Sequence, residues 1–215
     1  MLEKMDAFFE ARLAGYDDHM LTEIEGAREF YPFTASCLPK VPGASVLDLG
    51  CGTGLELQFY FAVNPAARFT GIDLSEGMLA ALKEKFPDKA LTLLRGSYFD
   101  IPLGSGYDAA VSVESLHHFT QEQKTGLYRK LHAALKDGGY FVLTDYFAPD
   151  DAYEAFYFGE LRRLKAEAGI ADDAFYHYDT PLTVAHETQA LLAAGFSRVE
   201  DVKAWGATHI LIAYK

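Results

Sequence analysis

The stretch Ser45-Val46-Leu47-Asp48-Leu49-Gly50-Cys51-Gly52-Thr53-Gly54 decides the fold of this chain. It begins with an apolar run that only Asp48 interrupts, continues with glycines at alternate positions, and precedes a helix-compatible run at residues 55–61. A buried strand, a tight glycine turn and a helix start form a βα unit that suits a nucleotide, because free N–H groups at the helix start face polar ligand groups. The stretch therefore predicts an α/β fold with a nucleotide site at this turn.

The spacing of the glycines separates two kinds of nucleotide site. A dinucleotide fingerprint has the form G-x-G-x-x-G, but Leu55 stands where its third glycine belongs. Gly54 comes one position early, which gives D-x-G-x-G-x-G with Asp48 as the acid. This pattern resembles motif I of the class I S-adenosylmethionine (SAM)-dependent methyltransferases. A second acid, Asp73, follows the loop by about 20 residues, as a ribose-binding carboxylate requires.

Three further stretches resemble the same family. Residues 71–75 are similar to its second motif, and residues 107–113 begin with an aromatic–Asp pair as its motif IV does. Strands predicted at residues 197–203 and 208–214 match its antiparallel final strand. The resemblance covers the chain from residue 41 onward. It implies an α/β, Rossmann-like sheet of seven strands, mostly parallel, with an antiparallel terminal strand, helices on both faces and an N-terminal helical lid.

The N-terminal part of the chain is expected to form this lid. The sequence indicates a single domain, residues 1–215, in which residues 1–40 are helical with an interruption at residues 15–20. In many members of the family an N-terminal Tyr-Asp pair closes over the cofactor, and Tyr16 and Asp17 resemble that pair. The alternative is a simple turn between two packing helices.

The resemblance implies a SAM site built at the ends of the parallel strands. Backbone amides of the glycine turn approach the methionine end, Asp48 orients the turn, and Asp73 accepts hydrogen bonds from the ribose. Ser97 stands where the family usually has an acid for the adenine amino group, so Ser97 and Tyr98 are expected to meet the adenine. The expected cofactor-binding residues are Tyr16, Asp48, Gly50, Cys51, Gly52, Gly54, Asp73, Leu74, Ser97, Tyr98 and Glu114.

Two adjacent histidines follow the fourth predicted strand, at the sheet edge where ligands lie. Glu114 ends that strand and is expected to face the methionine ammonium, and Leu-His-His after it is common among small-molecule members of the family. His117, His118 and, further along, His177 are the candidate catalytic residues, with packing roles as the alternative. No carboxylate or thiol stands at a diagnostic spacing, so no metal is expected.

Residues 146–180 interrupt the strand–helix alternation with a stretch rich in acids and aromatic residues. We expect a helix at residues 151–168 and an insertion that shapes the acceptor pocket, as insertions at this place do in the family. An aromatic and acidic wall would hold a cationic or aromatic acceptor. The alternative is that most of these rings pack the insertion onto the sheet.

Capping signals place two of the later helices. Thr120 and Gln123 form a capping box, and the helix after them is predicted to end at the glycine pair 138–139. Thr183 is expected to cap a last helix that ends at Gly195.

The amino-acid composition limits the kinds of partner that the chain is expected to bind. The 215 residues carry a formal net charge of −12, which opposes nucleic-acid binding because that binding rests on Lys and Arg, although a local basic patch would still permit it. The charge also disfavours anionic membranes, and no apolar run is long enough to span a bilayer. Cys37 and Cys51 indicate reduced thiols, and no signal peptide is recognised, so a cytoplasmic protein is expected. A homodimer is left open.

The expected function is transfer of a methyl group from SAM to a small-molecule acceptor by in-line displacement. Leu55 and the final hairpin disfavour a dehydrogenase. Two alternatives remain: use of a modified SAM on RNA, for which Arg162, Arg163 and Arg198 are loose candidates to hold the extra group, and a non-catalytic SAM-binding protein. Neither the acceptor nor its nucleophilic atom follows from the sequence.

Overall fold

A seven-stranded sheet organises the chain in a computed structural model that describes residues 2–171 and 174–215. Its strand order is β3-β2-β1-β4-β5-β7-β6; β1 to β5 are parallel, and β7 is antiparallel to both of its neighbours. This arrangement confirms the predicted fold class. The strands are β1 Ser45–Leu49, β2 Arg68–Asp73, β3 Ala90–Arg95, β4 Tyr107–Val113, β5 Leu135–Tyr146, β6 Arg198–Trp205 and β7 Thr208–Tyr214.

Helices accompany the strands along the chain. They are α1 Met5–Arg12, α2 Tyr16–Glu23, α3 Ala27–Cys37, α4 Leu57–Val63, α5 Glu76–Lys85, α6 Gln121–Ala134, α7 Asp151–Ala168 and α8 Val184–Ala193. The predicted caps are present: the Thr120 side chain accepts from Gln123 N in a complete capping box, and Thr183 accepts from His186 N. Within residues 2–171 and 174–215, no helix combines the length and apolar character needed to cross a membrane.

The two faces of the sheet are covered by different helices, which explains why β1 is apolar on both sides. Leu47 and Leu49 share a hydrophobic cluster with α6 and α8, whereas Val46 shares one with α3 and α4. Strands buried on both faces carry nearly continuous apolar runs. The order of the strands reverses at β1 and β4, and in open α/β sheets the crevice at that point is where ligands bind.

Two predicted boundaries are wrong. Helix α6 ends at Ala134 rather than at the glycine pair 138–139, because Leu135 pairs with Tyr107 of β4 and so becomes the first residue of β5. The predicted interruption at residues 15–20 is shorter and earlier. It is a single 3₁₀ turn, Leu13–Gly15, and the next residue begins α2.

A pair of buried carboxyl groups lies in the first βα unit. Asp48 on β1 and Glu56 before α4 are only 1% and 3% exposed, and Asp48 Oδ2 and Glu56 Oε1 have no hydrogen-bond partner. Burial raises the pKa of Glu56 to about 6. Burial, followed by the neighbouring Glu56 charge, raises the pKa of Asp48 well above its usual range. Asp48 and Glu56 together therefore retain at least one proton at a pH at which the unfolded chain would have released it.

We predict that Asp48→Asn reduces the loss of stability between pH 5 and pH 8. A carboxyl group with a raised folded-state pKa stabilises the fold at low pH, and this contribution disappears as the pH rises. Burial raises the pKa of Asp48 itself, so ionisation of Asp48 contributes to this loss. Asparagine keeps the shape of Asp48, cannot ionise and can donate to Glu56, so the variant should be more stable than wild type at pH 8, and the difference should narrow toward pH 5.

Urea unfolding at several pH values measures this effect. Glu84→Gln is the matched control, because it also removes one acid but from the exposed surface of α5. Equal pH dependence in Asp48→Asn and wild type would contradict the assignment.

Candidate functional site

The glycine turn joins the carboxyl ends of three strands. Gly50, Gly52 and Gly54 have φ angles of +78°, +47° and +72°, which side-chain-bearing residues rarely adopt. The N–H groups of Gly50 and Cys51 donate to the Ile72 carbonyl oxygen over 2.9 and 3.1 Å, and thereby attach the turn to β2. A Cβ at Gly50 would lie 2.0 Å from Ser115 Oγ, just beyond β4. Only glycine therefore allows the turn to approach the end of β4 this closely.

Asp73 occupies the end of β2 and holds the turn from the other side. Its Oδ2 accepts from Gly52 N over 2.8 Å and its Oδ1 from Ser75 N over 2.9 Å. Burial raises the pKa of Asp73, and these N–H groups oppose that effect by stabilising the carboxylate. Each carboxylate oxygen can accept a further hydrogen bond, so the group remains able to bind a ligand hydroxyl.

A narrow cavity lies beside this turn, and we call it the donor cavity. Asp73 forms part of its wall, as do seven other predicted cofactor residues: Tyr16, Gly50, Gly52, Leu74, Ser97, Tyr98 and Glu114. Three predicted residues are not in the wall. Asp48 faces Glu56, Cys51 packs against Gly71 in the core, and Gly54 packs against Leu57 and Leu82.

Aromatic side chains keep the donor cavity small. Its volume is about 60 Å³, whereas small-molecule pockets typically measure ~300–1,000 Å³. Phe9 of α1, Phe99 and Phe175 also line it, and the rings of Phe99 and Phe175 stack with centroids 5.6 Å apart. These three residues carry no local sequence pattern for a site, and they meet only because distant segments fold together.

Helices α1 and α2 lie across the donor cavity and contact the sheet edge through acids. The Glu10 carboxylate accepts from Ser75 Oγ over 2.6 Å at the start of α5. Asp17 accepts from the Thr53 hydroxyl of the glycine turn and forms an ion pair with Lys85. Burial, together with the Asp73 and Glu114 carboxylates, raises the pKa of the Tyr16 hydroxyl, so Tyr16 presents a neutral O–H to the cavity.

Glu114 is in a strained backbone conformation at the end of β4. Its φ of +48° is the only positive value at a non-glycine residue within residues 2–171 and 174–215. Glu114 Oε1 accepts from Thr208 Oγ1 over 3.1 Å, and burial, followed by the Asp145 charge, raises the pKa of Glu114 to about 7. Such strain persists only where surrounding structure enforces it, and it is concentrated at functional sites.

The structure brings His117 into contact with two acids that the sequence did not single out. His117 Nδ1 lies 2.6 Å from Asp145 Oδ1, and Nε2 lies 3.5 Å from Asp179 Oδ1. Asp145 is itself fixed, because Leu116 N and Tyr146 N donate to its two oxygens. Burial opposes the charged imidazolium, but the carboxylates of Asp145 and Asp179 outweigh it and raise the pKa of His117.

His118 and His177 lie beside the same acid. His118 Nδ1 is 3.4 Å and His177 Nε2 is 4.0 Å from Asp179 Oδ1. Burial, followed by the charge of His117, lowers the pKa of His118, and burial lowers that of His177. The ring of His177 stacks on Phe8 of α1 with a centroid distance of 3.4 Å. All three candidate catalytic histidines therefore form one cluster.

A larger cavity of about 800 Å³, which we call the acceptor cavity, adjoins the donor cavity. His117, His177 and Asp179 line it. The two cavities share four wall residues: Phe9, Tyr16, Glu114 and His118. The two cavities thus adjoin along these side chains.

Residues 146–180 contribute to both cavities and also to packing. Tyr146 lines the acceptor cavity, Phe175 lines the donor cavity, and Tyr153 stacks with Tyr157 along α7. A third cavity of about 400 Å³ lies between α7 and the start of α6.

The three arginines considered for a modified donor lie elsewhere. Arg162 lines the third cavity, Arg163 pairs with acids of α7, and Arg198 pairs with Glu200. Arg12 is the arginine that lines the acceptor cavity. It stands in α1, where the sequence offered no reason to choose it.

Comparison with known proteins gives a consistent result. Residues 46–139 match the family model described as a methyltransferase domain. Sterol 24-C-methyltransferase from Gibberella zeae is 28% identical over 176 residues, covering 76% of this chain and 42% of that protein. Carboxy-S-adenosyl-L-methionine synthase from Campylobacter fetus is 23% identical and covers all of this chain and 96% of that protein. The chain spans less than half the length of several curated relatives that it matches.

Solved structures agree in fold. A putative O-methyltransferase from Nostoc punctiforme superposes with a TM-score of 0.72 at 22% identity, covering 96% of this chain and 60% of that one. Human N-acetylserotonin methyltransferase, solved in complex with SAM, superposes with a TM-score of 0.64 at 19% identity, covering 97% of this chain and 55% of that one. Residues 46–139 thus match a methyltransferase domain, and the glycine turn, Asp73 and the reversed sheet order give the chain the fold of the class I SAM-dependent methyltransferases.

Proposed function

We propose that the chain transfers a methyl group from SAM to a small-molecule acceptor. The observation that carries this proposal is the shared wall of the donor and acceptor cavities, formed by Phe9, Tyr16, Glu114 and His118. SAM supplies a methyl group that its sulfonium makes electrophilic. The protein's task is then to align the acceptor atom with that methyl group, and well-oriented reactions gain up to ~7–11 kcal/mol from positioning.

The residues of the donor cavity fit the parts of SAM. The Asp73 carboxylate is held by two backbone N–H groups and still accepts from ribose hydroxyls. Ser97 and Tyr98 offer a hydroxyl and a ring for the adenine, and Glu114 offers a carboxylate for the methionine ammonium. Gly50 and Gly52 carry no side chain and so leave room for the methionine end to approach the turn, although the N–H groups of both are already paired within the protein.

The small volume of the donor cavity requires movement before SAM enters. Phe9 and Phe175 line this cavity, and their segments are joined to each other, since Met5 N donates to Phe175 O over 3.4 Å. We infer that α1 and the segment around Phe175 act as a lid. The Tyr16–Asp17 pair begins α2, soon after α1, and Asp17 reaches the glycine turn, which supports the closing role that the resemblance implies.

The chemistry of the acceptor cavity favours a neutral or cationic acceptor. Its wall contains the acids Glu23, Glu25, Glu114 and Asp179, with aromatic rings from Phe8, Tyr146 and Trp205. Carboxylates and ring faces both attract cations. Where the acceptor atom carries a proton, His118 and His177 are the candidate bases, because their lowered pKa values keep these rings neutral.

Carboxy-SAM chemistry is the second candidate function, because the carboxy-SAM synthase relative matches over almost its whole length. A donor or product with an extra carboxylate needs a cation near the methyl position. Neither the donor cavity nor the acceptor cavity is lined by Arg162, Arg163 or Arg198. Arg12 of α1 lines the acceptor cavity but not the donor cavity. These positions favour simple methyl transfer.

Asp73→Asn should weaken SAM binding by about 10- to 100-fold. A hydrogen bond to a charged group contributes about 1.5–3 kcal/mol, and the asparagine amide replaces one acceptor with a donor. Isothermal titration calorimetry with SAM measures the change. Glu76→Gln is the matched control, because this acid stands three residues further on and its side chain is 75% exposed. Wild-type affinity in Asp73→Asn would refute the ribose assignment.

Label transfer tests the reaction itself. The chain is incubated with SAM carrying a deuterated methyl group and a small-molecule extract, and mass spectrometry then follows the label. Methyl transfer predicts a labelled small molecule and equimolar S-adenosylhomocysteine, both reduced in Asp73→Asn. Carboxy-SAM synthesis predicts a heavier SAM derivative instead. SAM binding without any consumption would identify a non-catalytic SAM-binding protein and overturn the proposal.

A further inference from the structure

Three side chains at the border of the acceptor cavity present ligand atoms to a common point. Asp179 Oδ1 lies 3.5 Å from His117 Nε2 and 3.4 Å from His118 Nδ1. One ligand atom from each residue lies within 4.8 Å of the other two. Donor atoms bound to one metal ion at about 2.0–2.2 Å are separated by about 3–3.5 Å, so the observed spacing needs little adjustment.

The imidazole of His117 is oriented as metal-binding histidines are. Its Nδ1 contacts the Asp145 carboxylate over 2.6 Å, so Nε2 is the nitrogen that faces Asp179. A carboxylate on the remote ring nitrogen fixes the tautomer and increases the basicity of the ligating nitrogen. Asp145 is only 1% exposed and is held by backbone N–H groups, so it supplies this orientation rigidly.

A second group, Glu114, His117 and Asp145, is a weaker candidate because its oxygens already have partners. Asp145 accepts from two backbone N–H groups, and Glu114 accepts from Thr208. In the first group the Asp179 side chain is 51% exposed, and it lines the acceptor cavity. The first group therefore has both an entry path and free positions on its cavity side.

We propose that His117, His118 and Asp179 bind a divalent transition-metal ion at the border of the acceptor cavity. Two imidazoles and one carboxylate suit Zn²⁺ and Fe²⁺, whereas Mg²⁺ and Ca²⁺ prefer oxygen ligands. His118 Nδ1 also lies 3.2 Å from the Tyr178 carbonyl oxygen, so coordination replaces that contact. The spacing of the sequence did not indicate this site, because Asp179 stands 61 residues after His118.

The ion's open positions would face the acceptor. An acceptor with a hydroxyl or carboxyl oxygen could occupy one of them, and a bound ion makes such an oxygen easier to deprotonate. This use of the site rests on the proposed methyl transfer. Binding of the ion does not, and it can be tested alone.

Calorimetry with Zn²⁺ as the probe tests the site. The full chain is prepared without a histidine tag, treated with a chelator and titrated with ZnCl₂ and, separately, with MgCl₂. We expect one Zn²⁺ per chain and no comparable Mg²⁺ binding. Asp179→Asn and His118→Gln should each weaken Zn²⁺ binding by about 100-fold or more, since loss of even an outer-shell partner typically costs 10- to 100-fold.

Control variants make the result specific. His132→Gln removes a histidine near the end of α6 that packs against Phe196, next to the start of β6, and it should bind Zn²⁺ as wild type does. Circular dichroism and thermal melts establish that each variant is folded. Absence of Zn²⁺ binding in wild type, or unchanged binding in both Asp179→Asn and His118→Gln, overturns the proposal.

Two further measurements keep the proposals separate. Co²⁺ in place of Zn²⁺ should give visible absorption bands that Asp179→Asn lacks, which reports coordination independently of affinity. SAM titration in the presence of chelator tests the donor site without the ion. SAM binding without Zn²⁺ binding refutes only the metal site, whereas Zn²⁺ binding without SAM binding refutes only the proposed methyl transfer.

Discussion

The hydrogen bond from Gly52 N to Asp73 Oδ2 is the contact on which the site depends. It joins the turn after β1 to the end of β2, and the Gly50–Ser115 approach joins the same turn to the end of β4. Both glycines have backbone in the left-handed region, and a Cβ at Gly50 would also collide with Ser115, so an ordinary side chain would strain either contact. Through them a change in the turn is transmitted to the Asp73 carboxylate, which we propose binds the ribose, and to the end of β4, where Glu114 and the histidines follow.

The histidine cluster in turn depends on these contacts between the glycine turn and the ends of β2 and β4. Asp145 holds the chain after β4 through Leu116 N, and it holds the ring of His117 through Nδ1. Asp179 arrives from the segment after α7 and brings the three histidines into one electrostatic unit. The lid joins this unit from the opposite side, because Phe8 of α1 stacks on His177. If α1 opens as proposed, the Phe8–His177 stacking is lost, and donor entry is then coupled to the acceptor side.

Short-range sequence patterns predicted much of the fold and of the candidate site. The parts that they missed depend on contacts between residues far apart in the sequence. The strand order, the capping box at Thr120 and the position of Asp73 at the end of β2 are as expected from short-range patterns and the resemblance, although β5 begins five residues earlier than predicted. The predicted end of α6 was wrong because Leu135 pairs with β4, and this pairing outweighs the tendency of the following glycines to end a helix. Asp145 and Asp179 could not be chosen from sequence, since their partners stand 28 and 62 residues away from them.

Asp48 illustrates a limit of motif reasoning. The motif identifies the acid, but its carboxyl group faces Glu56 inside the protein rather than the donor cavity. Its role in the turn is thus indirect. Which acids face a ligand is decided by the packing around the turn, and no spacing rule contains that information.

The central claim is that the donor's methyl group lies at the wall shared by the two cavities. A crystal structure of the chain with SAM tests it most directly. The account predicts ribose hydroxyls within hydrogen-bonding distance of Asp73, displacement of Phe9 or Phe175, and the methyl group directed past Glu114 toward the His117–Asp179 cluster. A ribose bound away from Asp73, or a methyl group directed away from the acceptor cavity, would contradict it.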